Sequence, residues 1–375
     1  MKRPDFEQLR KVLFLDGEPK YIPFYELSIN QEVMKAIIGE PDLTIDSRIE
    51  ENVKDVDSRV NLRELQQKFI LDSKFHSTMG YDYVPLVVPL LLVRNNVLSA
   101  RDRSEFSKGT RTWVDENRGV IEDREDFENY PWPDLDEIQE SFLPLYEFAE
   151  KNLPEDMMII CRPQGGVLEN VMWLMGTAPF FKALYRDPAL VRKMFEKVGG
   201  LLSFSFKLAA ELDMVGALVM GDDMGYKTGP FMSPENYRRY VFPWQKRCVD
   251  EVHRYGKPFI LHSCGNLKIL MEDIIEYVGI DAKHSYEDTS YPVTEYKKEY
   301  GDRIAILGGI DMDKLCRLPR REFSRYVKKV ISECAPGGGY ALGCGNSVSN
   351  YIKLENYLTM LEIGRKYGKY PQRAI

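Results

Sequence analysis

Short apolar, β-branched runs alternate with longer amphipathic stretches along the chain. Runs at 21–27, 82–88, 157–161, 215–221, 258–262, 280–284, 303–307 and 339–343 read as strands. Helical periodicity fills 62–79, 135–152, 168–175, 189–212, 234–255, 267–278, 293–300, 321–334 and 351–367. Local signals agree with these boundaries. Ser233-Pro234-Glu235 supplies a cap followed by Pro at the first helical position, and Gly256 stops the same helix. Strands alternating with helices predict an α/β fold with a parallel sheet, and a count of eight favours a (β/α)8 TIM barrel over an open doubly wound sheet. Residues 92–132 break the rhythm. Charged and apolar residues alternate there around Lys108-Gly109 and Asn117-Arg118-Gly119, which predicts a β-hairpin inserted after strand two. With no repeat or linker dividing the chain, residues 1–375 read as one domain carrying that insertion.

Composition narrows the function classes. Lys plus Arg number 51 against 58 Asp plus Glu, a balance of −7, so a nucleic-acid partner is not expected. At 44% hydrophobic and 12% aromatic the chain has the content of an ordinary globular protein. The longest apolar run, 84–93, holds Pro85 and Pro89 and falls well short of the ~20 residues of a membrane span. The N-terminal residues carry charges every few positions rather than a signal-peptide core, so the cytoplasm is the expected compartment. Six cysteines are too few for a disulfide scaffold and are expected to be thiols.

In barrels of this class chemistry gathers at the carboxyl ends of the strands. Those ends are rich in reactive side chains: Glu26, Asp222 and Asp223, His262 and Cys264, His284, Asp311 and Cys344. Residues two apart in an extended segment point the same way, so the imidazole of His262 and the sulfur of Cys264 can face one point. Cys344 stands at the equivalent place on strand eight. One His and two Cys suit Zn²⁺ and leave a fourth position open. Cys161 also ends a strand but has no second ligand near it in sequence. Of the adjacent acids, only one is expected to face the barrel axis. Asp222, Asp223 and Glu26 are the candidates for general acid–base work or for the fourth metal position. His76 and His253 fall on helices and read as structural or exposed.

The segments GDDMGYKTGPFMSPENYRRYVFPWQK, KPFILHSCGN, LGGID and ALGCGN, in that order, resemble the uroporphyrinogen decarboxylase superfamily. The resemblance implies a (β/α)8 barrel with its site at the carboxyl rim. It departs from the decarboxylases at the start of the chain. Where they carry an arginine-bearing RQAGRY-type segment, this chain has YIPFYELSIN, and around Asp82 it reads GYDYVPL. A substrate with many carboxylates needs several cationic partners.

The better match is the branch of corrinoid-dependent methyltransferases, whose zinc motif is H-x-C followed far downstream by Cys. It implies His262, Cys264 and Cys344 as metal ligands. It also implies methyl transfer between a small substrate and a corrinoid (cobalamin). The chain shows no D-x-H-x-x-G motif, so the corrinoid is expected on a separate carrier protein. Tyr25, Tyr83, Tyr226 and His284, with Trp173 and Phe231 nearby, are candidate substrate-binding residues and tilt the expectation towards an aromatic methyl ether, with a thiol as the other option. The alternatives are a uroporphyrinogen decarboxylase acting on a tetrapyrrole and a non-catalytic barrel that binds a corrinoid or an aromatic ligand.

Overall fold

The protein was analysed as a computed structural model, which describes residues 3–39, 62–94, 96–101 and 110–371. Among the described residues eleven strands run in chain order. They are β1 (Tyr83–Val88), β2 (Val97–Arg101), β3 (Thr110–Val114), β4 (Met158–Pro163), β5 (Val215–Gly221), β6 (Gly225–Tyr226), β7 (Gly229–Pro230), β8 (Phe259–His262), β9 (Ala282–His284), β10 (Ala305–Leu307) and β11 (Tyr340–Ala341). Seven of them form a curled sheet in the order β1-β4-β5-β8-β9-β10-β11, and every neighbouring pair is parallel. Helices such as Leu135–Asn152, Pro188–Ala210, Phe242–His253 and Arg320–Cys334 connect and cover them. Strands β8, β9 and β10 are buried along their whole length, as a parallel sheet covered on both faces requires. The fold is a TIM-barrel-like α/β half-barrel.

The eighth expected strand, 21–27, behaves differently. It makes isolated bridges, Phe24 with Leu342 in parallel and Tyr21 with Lys369 antiparallel, rather than a ladder. Pro23 removes a donor from the segment, which explains part of the interruption. Towards β11 the backbone still pairs: Tyr25 N–H donates to Leu342 O at 2.9 Å, and Leu342 N–H donates to Pro23 O at 2.9 Å. Gly343 permits this approach, since a Cβ there would lie 1.7 Å from Tyr25 O. Towards β1 a side chain does the joining. The Tyr83 hydroxyl accepts from Glu26 N–H at 2.9 Å and donates to Glu26 O at 2.7 Å.

Strands β2 and β3 pair antiparallel, Val97 opposite Val114 and Leu98 opposite Trp113. The Lys108-Gly109 turn expected to join them lies outside the described residues. In the helix opened by Pro234, the turn Tyr237–Val241 is widened just before Pro243, whose ring cannot serve the carbonyl four residues back. Among the described residues no helix is long and apolar enough to cross a membrane.

Candidate metal centre

The two acids after β5 divide their roles. Asp222 is fully buried and turns back to cap the helix Val167–Met175. Its carboxylate accepts from the backbone N–H groups of Val167 (3.0 Å), Leu168 (3.2 Å) and Glu169 (2.9 Å), and from Gln245 Nε2 (2.7 Å). Burial pushes its carboxyl up to about 6, against the pull of these donors. Gly166 makes the approach possible, because a Cβ there would fall 2.1 Å from Asp222 Cβ. Asp223 turns the other way. Its Oδ1 accepts from Cys264 N–H at 2.8 Å and stands 3.7 Å from His262 Nε2.

His262 ends β8 and Cys264 follows two residues later on the same side, with Cys264 Sγ 3.5 Å from His262 Nε2. The donor atoms of Asp223, His262 and Cys264 lie within 4.8 Å of one another. Tetrahedral zinc with Zn–N near ~2.0 Å and Zn–S near ~2.3 Å has ligand–ligand edges of about 3.5 Å. The observed 3.5 and 3.7 Å spacings therefore fit that ion.

Proton bookkeeping supports the fit. His284 Nε2 lies 3.0 Å from Cys344 O, and a carbonyl only accepts, so Nε2 carries the hydrogen. Burial holds His284 neutral, pushing it down to about 3, so its Nδ1 is an acceptor. His262 Nδ1, 2.7 Å away, must then be the donor. That leaves a bare lone pair on His262 Nε2, the atom facing Cys264 and Asp223. Burial and the neighbouring His284 also drive the His262 imidazole towards its neutral form. A second imidazole thus fixes the ligating tautomer, the part often played by a carboxylate or carbonyl.

Two donors point at Cys264 Sγ: Ser285 Oγ at 3.4 Å and Asn346 Nδ2 at 3.3 Å. Such donors suit a thiolate, although burial pushes the free thiol up. Ser285 reaches this position with φ of 85°, a left-handed conformation that costs a non-glycine residue energy. Lys283 holds it there. The Lys283 ammonium is fully buried and donates to Ser285 O (2.7 Å), Ser263 O (3.3 Å) and His284 O (3.4 Å). It also lies over the rings of Tyr286 and Tyr296 at 4.6 and 5.1 Å. Burial pushes it down to about 8.

Cys344 lies outside the group of converging donor atoms and is linked to it by its backbone. Its N–H donates to both Glu26 carboxyl oxygens at 3.1 Å, and its carbonyl receives the His284 proton. Burial, then the adjacent Glu26, pushes its thiol up. Glu26 is itself pushed up to about 8 by burial. Tyr25 stacks on Tyr83 (5.8 Å between centroids) and meets His284 edge-on (5.2 Å). The Tyr83 hydroxyl is engaged by the Glu26 backbone. Tyr226 is 61% exposed on the β6–β7 turn, packed edge-on against Phe231 at 4.5 Å. Trp173 carries the Arg94 guanidinium on its face at 4.3 Å. Cys161 is buried beside Tyr146, away from the site.

Sequence reasoning passed over Lys283 and Ser285. A lysine within a three-residue strand reads as a solvent-facing position, and nothing local marks it as buried.

A family model described as "Uroporphyrinogen decarboxylase (URO-D)" matches residues 117–367. The chain belongs to the URO-D family. A uroporphyrinogen decarboxylase from Myxococcus xanthus (strain DK1622) is 28% identical over 160 residues, 42% of each chain. Another from Geobacter sp. (strain M21) is 24% identical over 185 residues, 48% of this chain and 50% of that one. The chain thus spans half or less of the length of these curated relatives. Among solved structures, a methyltransferase from Methanosarcina mazei superposes with a TM-score of 0.69 over 96% of this chain and 98% of that one, at 15% identity, which is a likeness of fold. The URO-D chain therefore belongs to an enzyme family and shares its fold with that methyltransferase.

Proposed function

We propose that this URO-D family chain is a zinc-dependent methyltransferase. It would move a methyl group between a small substrate, with an aromatic methyl ether favoured over a thiol, and a corrinoid held by a separate carrier protein. The observation that carries this reading is the bare Nε2 lone pair of His262, facing Cys264 and Asp223 at tetrahedral spacing on the carboxyl side of the sheet. His262, Cys264 and, from the family motif, Cys344 would hold the metal, with Asp223 filling the fourth position when no substrate is bound. Zinc bound there supplies Lewis acidity that lets a substrate oxygen or sulfur carry negative charge.

The chain's own residues do the rest. His284 keeps His262 in the ligating tautomer. Ser285 and Asn346 stabilise charge on Cys264, and Tyr25 gives an aromatic wall against which a ring can lie. Asp223 is the carboxylate placed to take or hold a proton beside the substrate. Asp222 belongs to the scaffold, because its carboxylate bonds to the helix it caps and to Gln245. Glu26 fixes the backbone of Cys344.

The test is metal analysis joined to a methyl-transfer assay with a corrinoid protein, methoxyarenes and thiols. About one zinc per chain is expected, lost in Cys264→Ser and Cys344→Ser. Zinc-free protein, or zinc indifferent to both substitutions, overturns the proposal. The names of the curated relatives favour a second reading, tetrapyrrole decarboxylation, which predicts conversion of uroporphyrinogen without added metal. Ligand uptake with no turnover of either kind would point to a binding barrel.

A further inference from the structure

Three guanidiniums meet at one hollow between the helices that cover the sheet. Arg192 on the helix Pro188–Ala210, Arg239 in the widened turn Tyr237–Val241 and Arg247 on the helix Phe242–His253 line a cavity of about 330 Å³. Among the described residues none of the three makes a hydrogen bond or an ion pair. Their neighbours in sequence behave differently. Lys193 pairs with Glu128 at 2.7 Å, Arg238 with Asp273 at 2.9 Å and Lys246 with Asp250 at 2.8 Å. The lining of the hollow holds a single carboxylate, Glu196, against its three guanidiniums, which leaves a surplus of two positive charges.

The surrounding packing gives the hollow a fixed shape. Phe195 stacks on Tyr240 at 5.7 Å with 24° between the planes, and both are buried, so they form its floor. Trp244 packs onto Gly199, where a Cβ would fall 2.3 Å from the indole. Glycine inside a helix is destabilising, so helix propensity is sacrificed at this point to seat the ring. Arg239 leaves its helix at a widened turn, a distortion that recurs at functional sites. Two of the guanidiniums lie on aromatic faces, Arg239 over Tyr240 at 5.0 Å and Arg247 over Trp244 at 5.5 Å. A guanidinium stacked in this way keeps its N–H donors in its own plane and loses less freedom when a ligand arrives.

A guanidinium has no lone pair to accept with, so the three cannot satisfy one another and call for an acceptor-rich anion. A carboxylate brings one charge and two oxygens. A phosphate monoester brings close to two charges at neutral pH and three acceptor oxygens, which matches both the surplus and the number of guanidiniums. The volume leaves room beyond the phosphate itself and falls at the lower end of small-molecule sites. We propose that this hollow binds the phosphate group of a small phosphorylated molecule. Its lining shares no residue with the candidate metal centre, and the site requires neither zinc nor methyl transfer.

The probes are phenyl phosphate and benzenesulfonate, titrated calorimetrically into the full chain at neutral pH and low salt. They share a ring and a tetrahedral oxyanion and differ chiefly by one charge. Phenyl phosphate is expected to bind saturably and at least ~10-fold more tightly, the scale of an added charge-assisted contact. Arg192→Met, Arg239→Met and Arg247→Met should each weaken it about 3–10-fold. All three residues are exposed, so the variants leave the core intact, which thermal denaturation verifies. Lys193→Met and Arg238→Met remove the same charge from positions that do not line the hollow, and should change the affinity by no more than about 2-fold. Equal affinities for the two probes, or no saturable binding of phenyl phosphate at ~10 mM, overturns the proposal. So do controls that weaken binding as much as the three hollow substitutions, which would mean diffuse attraction. Indifference to all three would place the phosphate elsewhere on the chain and overturn it as well.

Discussion

His262 and His284 face each other Nδ1 to Nδ1 at 2.7 Å, and a single hydrogen lies between the two rings. Its position is fixed from the far end, where His284 Nε2 donates to the Cys344 carbonyl. Replacing His284 by Leu removes the acceptor and frees His262 to place its hydrogen on either nitrogen. Zinc affinity is expected to fall 10–100-fold, the usual effect of losing such an outer partner. Competition against a chelator measures it, and unchanged affinity would show that the imidazole pair does not set the ligand.

Glu26 predicts a pH response. Its carboxyl is raised from 4.5 to about 8 by burial. A raised acid contributes stability that is complete below the unfolded value and lost as pH climbs through the folded one. Between pH 6.5 and 8 the wild type should lose about 2 kcal/mol, since each unit corresponds to about 1.4 kcal/mol. Glu26→Gln keeps an acceptor for the Cys344 amide and cannot ionise, so its urea midpoint should stay nearly flat over that range. A variant that tracks the wild type would locate the titrating group elsewhere.

Lys283 is the charge that steadies the loop after β9. Lys283→Met keeps the length of the side chain but strips three carbonyls of their donor. A loss of about 2–4 kcal/mol is expected, together with weaker zinc retention as Ser285 relaxes from its left-handed conformation. Thermal denaturation and metal content, measured on the same sample, check both parts.

Asp222 and Asp223 should separate cleanly. Asp222→Asn presents an amide N–H₂ to a cap built from four donors and should cost about 2–4 kcal/mol in stability. Asp223→Asn should leave the urea midpoint nearly unchanged and lower metal content or methyl transfer instead. Equal stability losses in both variants would contradict the division of roles.

What the sequence disclosed followed from local patterning. Seven of the eight apolar runs became sheet strands because their β-branched cores are buried on both faces, and the run at 215–221 matches β5 residue for residue. The run at 21–27 looked equally strand-like, yet Pro23, which lacks a backbone donor, helps reduce it to bridges. His262 and Cys264 were legible because a spacing of two has a fixed meaning in an extended chain. The choice between Asp222 and Asp223 was not, since it depends on where a helix some fifty residues earlier begins. Lys283 was hidden for the same reason: its partners include the Ser263 carbonyl after β8 and the ring of Tyr296, which no short window of sequence contains.

The Tyr83 hydroxyl, which joins Glu26 to β1 in place of a backbone ladder, has a kinetic consequence. The Glu26 amide can open when the single Tyr83 side chain swings about its Cα–Cβ bond, without strand separation. Its hydrogen exchange should therefore run ahead of the amides paired within β4 and β5, marking the wall beside Tyr25 as the place where the barrel breathes.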